Sequence, residues 1–146
     1  MLTPEFIEKE DVVRIHDDQL ETYGGQPGIL SEHTLTSAIA QPCATWDGKF
    51  LHPTVFDQAA AYLFHIANAH AFVDGNKRTG FAVMVTFLEI NGYYLELSED
   101  DAYRLSMSVV TVEGHTSRTK DDIARILESC CIFTATANSP TPSLEL

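Results

Sequence analysis

Cysteine is scarce in these 146 residues: Cys43, Cys130 and Cys131 are an odd number, and the adjacent pair lacks zinc-site spacing, so reduced thiols are expected. Cations are scarce too. Nine Lys and Arg stand against twenty-one Asp and Glu, a net charge of −12, which argues against direct binding to nucleic-acid backbones. No apolar run is long enough for a membrane span, and the start, Met-Leu-Thr-Pro-Glu-Phe, lacks the basic and apolar regions of a signal peptide. The expectation is a cytoplasmic protein with no membrane partner.

What is present suits one globular domain. Hydrophobic residues make up 45% of the chain, and a chain of this length buries about two-thirds of its unfolded surface without help from disulfides or metals. Apolar residues recur at helical spacing from about Lys9 to Tyr23, and Gly24-Gly25 closes that run. His16 within it is expected at the core edge or in solvent, not as a ligand. Ser31 starts a second helix that stops before Pro42, and Pro42 to Pro53 shows no periodicity, so it reads either as a flap carrying Trp46 and Lys49 or as a loop whose Trp46 covers the core. Thr54 caps a helix over Val55 to Ala69 that is apolar or small nearly all round, hence central, and His65 in it reads as structural. A fourth apolar helix runs from Thr79 to Asn91, with a short extended piece over Tyr93 to Leu97. Ser98 with Asp101 makes a capping box for helix five; Thr119 with Asp122 makes a weaker one for helix six, about Lys120 to Ile132. The reading is an all-helical single domain of about six helices over residues 1–133, with 134–146 a disordered tail.

Between the two central helices lies His70-Ala-Phe-Val-Asp-Gly-Asn-Lys-Arg-Thr-Gly80. A histidine has a reference pKa near neutrality, so His70 suits a proton acceptor for a hydroxyl nucleophile. Asp74 offers the hard oxygen that magnesium takes alongside phosphates and water. Gly75 lets backbone approach an anion, Asn76 can donate its amide, and Lys77 and Arg78 place two of the scarce cations side by side. Phe72 and Val73 are expected to point inward. These are the parts of phosphoryl or nucleotidyl transfer; the bland alternative is a polar interhelical loop in which Asp74 or Asn76 serves as the helix cap.

The nine residues His70 to Arg78 resemble the motif of the Fic/Doc family, His-Pro-Phe-x-Asp/Glu-Gly-Asn-Gly/Lys-Arg, with Ala71 in place of the usual proline. His16-Asp17, Tyr23-Gly24-Gly25, Pro27-Gly28 and Asn91-Gly92-Tyr93 resemble its death-on-curing (Doc) branch, so that the likeness covers about residues 6 to 130. The resemblance implies that His70 is the general base and that Asp74 holds Mg2+ on the phosphates of ATP. It further implies that Gly75, Asn76, Lys77 and Arg78 bind those phosphates.

Members of the family modify protein hydroxyls with a nucleotide. AMP-transferring members carry glycine where this chain has Lys77 and a second arginine where it has Phe81. Both departures favour a Doc-like toxin that moves a phosphate to a Ser or Thr hydroxyl, a translation factor such as elongation factor Tu being the expected target; AMP transfer is the alternative. Self-inhibited members carry Ser/Thr-x-x-x-Glu-Gly/Asn, but Glu113-Gly114 is preceded by Val109 at the Ser/Thr position. A separately encoded antitoxin is therefore expected as partner. The rival of another class is a non-catalytic binding module on the same fold, against which the retention of His70 and Asp74 speaks.

Overall fold

A computed structural model describes residues 3–134. Six helices carry it: α1 (Lys9–Tyr23), α2 (Glu32–Ala40), α3 (Val55–Ala69), α4 (Asn76–Ile90), α5 (Glu99–Ser108) and α6 (Lys120–Cys130). Four short strands complete it. β1 (Thr45–Trp46) pairs with β2 (Lys49–Phe50), and β3 (Tyr93–Leu95) pairs with β4 (Cys131–Phe133), both antiparallel. Among the described residues no helix is long and apolar enough to cross a membrane.

The helix starts follow from their caps. Ser31 accepts from the Thr34 N–H at α2, and Thr54 forms a reciprocal box with Asp57 at α3. The two later boxes trade places against expectation: Thr119 and Asp122 make a full reciprocal box, whereas Ser98 only accepts from the Asp101 N–H. The hydrogen bonds from Thr119 hold the Asp122 carboxyl below its usual range.

α3 and α4 form the centre. α3 packs on α4, α6 and α2, while α4 also meets α1, β3 and α5. Ala59, Ala60, Tyr62, Leu63 and Ile66 of α3 are buried with Val83, Met84, Phe87 and Leu88 of α4. The two helices approach closely at Gly80, where a Cβ would lie 3.1 Å from the Leu63 carbonyl oxygen and 3.3 Å from the Ala67 nitrogen. That contact sits one turn into α4, two residues past Arg78.

Longer-range bonds secure the periphery. The buried Tyr62 hydroxyl accepts from the Ile7 N–H (2.9 Å) and donates to the Ile7 carbonyl (3.2 Å), and burial pushes its pKa up. Asn91 makes the equivalent pair of bonds to Glu5. Asn68 donates to the Val109 carbonyl and accepts from the Thr111 N–H, tying the end of α5 to α3.

Several expectations need correction. α4 begins at Asn76, three residues before the expected Thr79, so the last three residues of the motif, Asn76 to Arg78, are helix. Helix six ends at Cys130, because Cys131 to Phe133 leaves it to pair with Tyr93 to Leu95 as a strand. Burial raises the Cys131 thiol to about 11. The segment 42–53 folds as a hairpin around Asp47-Gly48, both at positive φ as a two-residue primed turn requires. Trp46 is 77% exposed, so it does not cover the core; Phe50 instead packs against Phe6. Thr134, assigned to the tail by sequence, donates to the Gly92 carbonyl, and the rest of the expected tail lies outside the described residues.

Candidate functional site

α3 ends and α4 begins within seven residues, and the reversal is built by local backbone chemistry. His70 adopts the left-handed conformation (φ 52°) that stops α3, and Gly75 adopts it again (φ 79°) just before α4. Asn76, the first residue of α4, accepts from the Phe72 N–H (3.1 Å) and donates to the Phe72 carbonyl (3.0 Å), closing the loop on itself. Phe72 is buried as expected, whereas Val73 is 44% exposed and meets Gly28.

The chain after α1 runs antiparallel beside this loop. Leu30 N–H donates to the Ala71 carbonyl (2.7 Å) and Val73 N–H to the Gly28 carbonyl (3.0 Å). Within that frame Asp74 is held at three points. Its Oδ2 accepts from the Gln26 N–H (3.2 Å), its Oδ1 from the Gly75 N–H (3.0 Å), and its carbonyl from His16 Nε2 (2.8 Å). At Gly25 a Cβ would stand 3.0 Å from Asp74 Oδ2, so a side chain there would fill the space in front of the carboxylate.

His70, Asp74, Gly75, Asn76, Lys77 and Arg78 all line one cavity of about 850 Å3. All six residues singled out by sequence are therefore brought together. Its far wall comes from one face of α4 (Phe81, Ala82, Val85), from Tyr103 and Met107 of α5, and from Val110 just after that helix. Nothing in 42–53 is among the residues that line it. The Arg78 guanidinium lies over the Tyr23 ring, 5.3 Å from its centroid, and neither Lys77 nor Arg78 pairs with a carboxylate among the described residues. The α4 N-terminus has no side-chain cap, so its first-turn N–H groups are left for an anion, and Gly75 to Arg78 around it line the cavity. Phosphate chemistry fits such a lining.

The donor set also limits how a metal fits. Among the described residues no three His, Cys, Asp or Glu side chains converge as a protein-only metal site. Asp74 is the one carboxylate of the motif, and Glu99 is the other carboxylate residue that lines the cavity; so few hard oxygen donors fit magnesium carried in on a phosphate and unsuit zinc.

Two further histidines lie outside the motif. His65, taken as structural, lies beside Lys120 (Nε2 to Nζ 3.2 Å), and burial together with that cation lowers its pKa to about 4. His16, expected at the core edge or in solvent, is buried and stacked on Phe72 with ring centroids 3.7 Å apart. Its place could have been found from periodicity, since His16 stands one turn after Val12, a core residue. Lining residues outside the motif such as Tyr103 and Met107 carry no functional signal in sequence, because they meet the motif only through packing.

A family model described as the Fic/DOC family matches residues 6–88. The chain is 40% identical over 96 residues to "Toxin Doc" of Mycolicibacterium smegmatis, covering 66% of this chain and 72% of that protein. It is 29% identical over 123 residues to "Protein kinase doc" of Escherichia phage P1, covering 84% of this chain and 96% of that one.

Proposed function

The chain belongs to the Fic/Doc family, in its Doc branch, and from that premise we propose a Doc-like toxin that transfers the γ-phosphate of ATP to a Ser or Thr hydroxyl of a target protein. The observation that carries this reading is that His70, Asp74, Lys77 and Arg78, next to the uncapped start of α4, all line one cavity. His70 accepts the hydroxyl proton while the oxygen attacks the γ-phosphorus. The bond from that phosphorus to its bridging oxygen breaks, ADP leaves with the electron pair, and His70 later returns its proton to solvent. Lys77, Arg78 and the N–H groups of the first turn of α4 neutralise charge on the phosphate oxygens. Asp74 would hold Mg2+, which when bound supplies charge neutralisation on the nucleotide phosphates.

Phe81 supports phosphate over AMP transfer. It lines the cavity one turn after Arg78, where a second arginine would grip the distal phosphates in the AMP-transferring orientation. The partner is a separately encoded antitoxin. Its segment docks as a helix in the groove between α4 and α5, whose walls present Phe81, Val85, Met107 and Val110 to an apolar helix face. Incubating the protein with a translation elongation factor and ATP labelled separately at the α and γ positions tests the reaction. Label should pass from the γ position only and cease in His70→Ala; transfer from the α position would overturn the phosphate assignment. Toxicity undiminished in His70→Ala would favour a binding module.

A further inference from the structure

The hydrogen bond between His16 and Asp74 involves neither a substrate-facing atom nor a carboxylate. Its acceptor is the Asp74 carbonyl, 2.8 Å from Nε2, and since a carbonyl only accepts, Nε2 carries the hydrogen. The Nδ1 side has Asp17 Oδ1 at 3.8 Å, beyond hydrogen-bond length.

The carbonyl of Asp74 and the N–H of Gly75 belong to one peptide plane. His16 holds the carbonyl end of that plane, and the N–H end donates to Asp74 Oδ1 at 3.0 Å. Turning the plane would therefore drag the carboxylate with it. Gly75 offers little resistance of its own, because a glycine at φ 79° has wide freedom. The imidazole is in turn clamped: it is buried, lies within 9° of parallel to the Phe72 ring, and stands 3.7 Å from where a Gly75 Cβ would be. Asn76 fixes Phe72 itself. A rigid chain of contacts thus runs from α1 to the orientation of one carboxylate.

We infer that His16 is a positioning residue that sets the Asp74 carboxylate for the metal-bound nucleotide by donating from Nε2 to the Asp74 carbonyl. The inference rests on the proposed role of Asp74. Outer partners of metal ligands are typically worth 10–100-fold in metal affinity, and a bond to the ligand's backbone belongs at the low end, about tenfold.

Three substitutions separate donation from packing. His16→Phe keeps the stack and loses the donor. His16→Gln loses the stack but carries an N–H as many bonds from Cβ as Nε2, and His16→Asn carries one a bond too short. Calorimetry of ATP with Mg2+, in a His70→Ala background to prevent turnover, should show Phe and Asn weakened about tenfold and Gln restored to within about threefold of the parent. Melting temperature without ligand should not track that order. Equal affinities in Phe and Gln, or affinities that simply follow melting temperature, would overturn the inference. Should the Phe variant not fold, the long-range proton–nitrogen NMR spectrum of the unsubstituted protein decides: hydrogen on Nε2 supports the assignment, and hydrogen on Nδ1 alone overturns it. If the parent binds no Mg2+ and ATP at all, the reading of Asp74 fails, while the NMR result still reports on the His16 bond.

Discussion

Replacing Asn76 by alanine separates two uses of one side chain. The amide spends its oxygen and one hydrogen on Phe72, leaving a single N–H for an anion. In Asn76→Ala the Phe72 N–H and carbonyl lose the partner they have among the described residues, in a partly buried loop. Each bond contributes about 1 kcal/mol net, and the stranded groups add a desolvation cost that water offsets in part, so the loss should be about 2 kcal/mol. In a domain of this size that lowers the melting temperature by roughly 5–8 °C. Circular-dichroism melts without nucleotide, against the unsubstituted protein, read this directly. An unchanged melt combined with weakened ATP binding would refute the reasoning and make Asn76 chiefly a ligand donor.

Gly80→Ala should destabilise although alanine is the better helix former: the Cβ meets α3 backbone at 3.1 Å, an overpacking cost of about 1–3 kcal/mol against a propensity gain of about 1. Urea unfolding that shows a net gain of about 1 kcal/mol would mean that α3 yields without cost. A pH effect follows from His65, whose folded pKa of about 4 lies below its ordinary 6.5. Between those values the unfolded chain binds the extra proton, so stability is full above about 6.5 and falls as pH drops toward 4. From pH 7.5 to 5.3, after discounting for solvent screening, the unsubstituted protein should lose about 1 kcal/mol more than His65→Gln, and parallel losses in urea titrations would contradict this.

Much of this was readable from residue order because the determinants are local. Helix starts at Ser31 and Thr54 depend on a side chain three residues from its partner, and the apolar circumference of Val55 to Ala69 states that α3 is central. The motif likewise keeps its chemistry within nine residues. What was hidden depends on distant partners. Polar Asn76 to Arg78 reads as loop, yet is helical because Gly75 turns and Asn76 bonds back to Phe72. Cys131 to Phe133 is a strand only because Tyr93 to Leu95 lies beside it. Val73 faces outward because its N–H is claimed by Gly28, 45 positions earlier, and His16 acquires its role from a carbonyl 58 positions away. The α5 wall of the cavity is invisible for the same reason.

The central claim is that this cavity moves a phosphate onto a protein hydroxyl. Intact-mass measurement of a candidate elongation factor after incubation with the protein, ATP and Mg2+ tests it most directly. The expected result is a gain of one phosphate, mapped to a Ser or Thr and lost in His70→Ala; a gain of one AMP would contradict it.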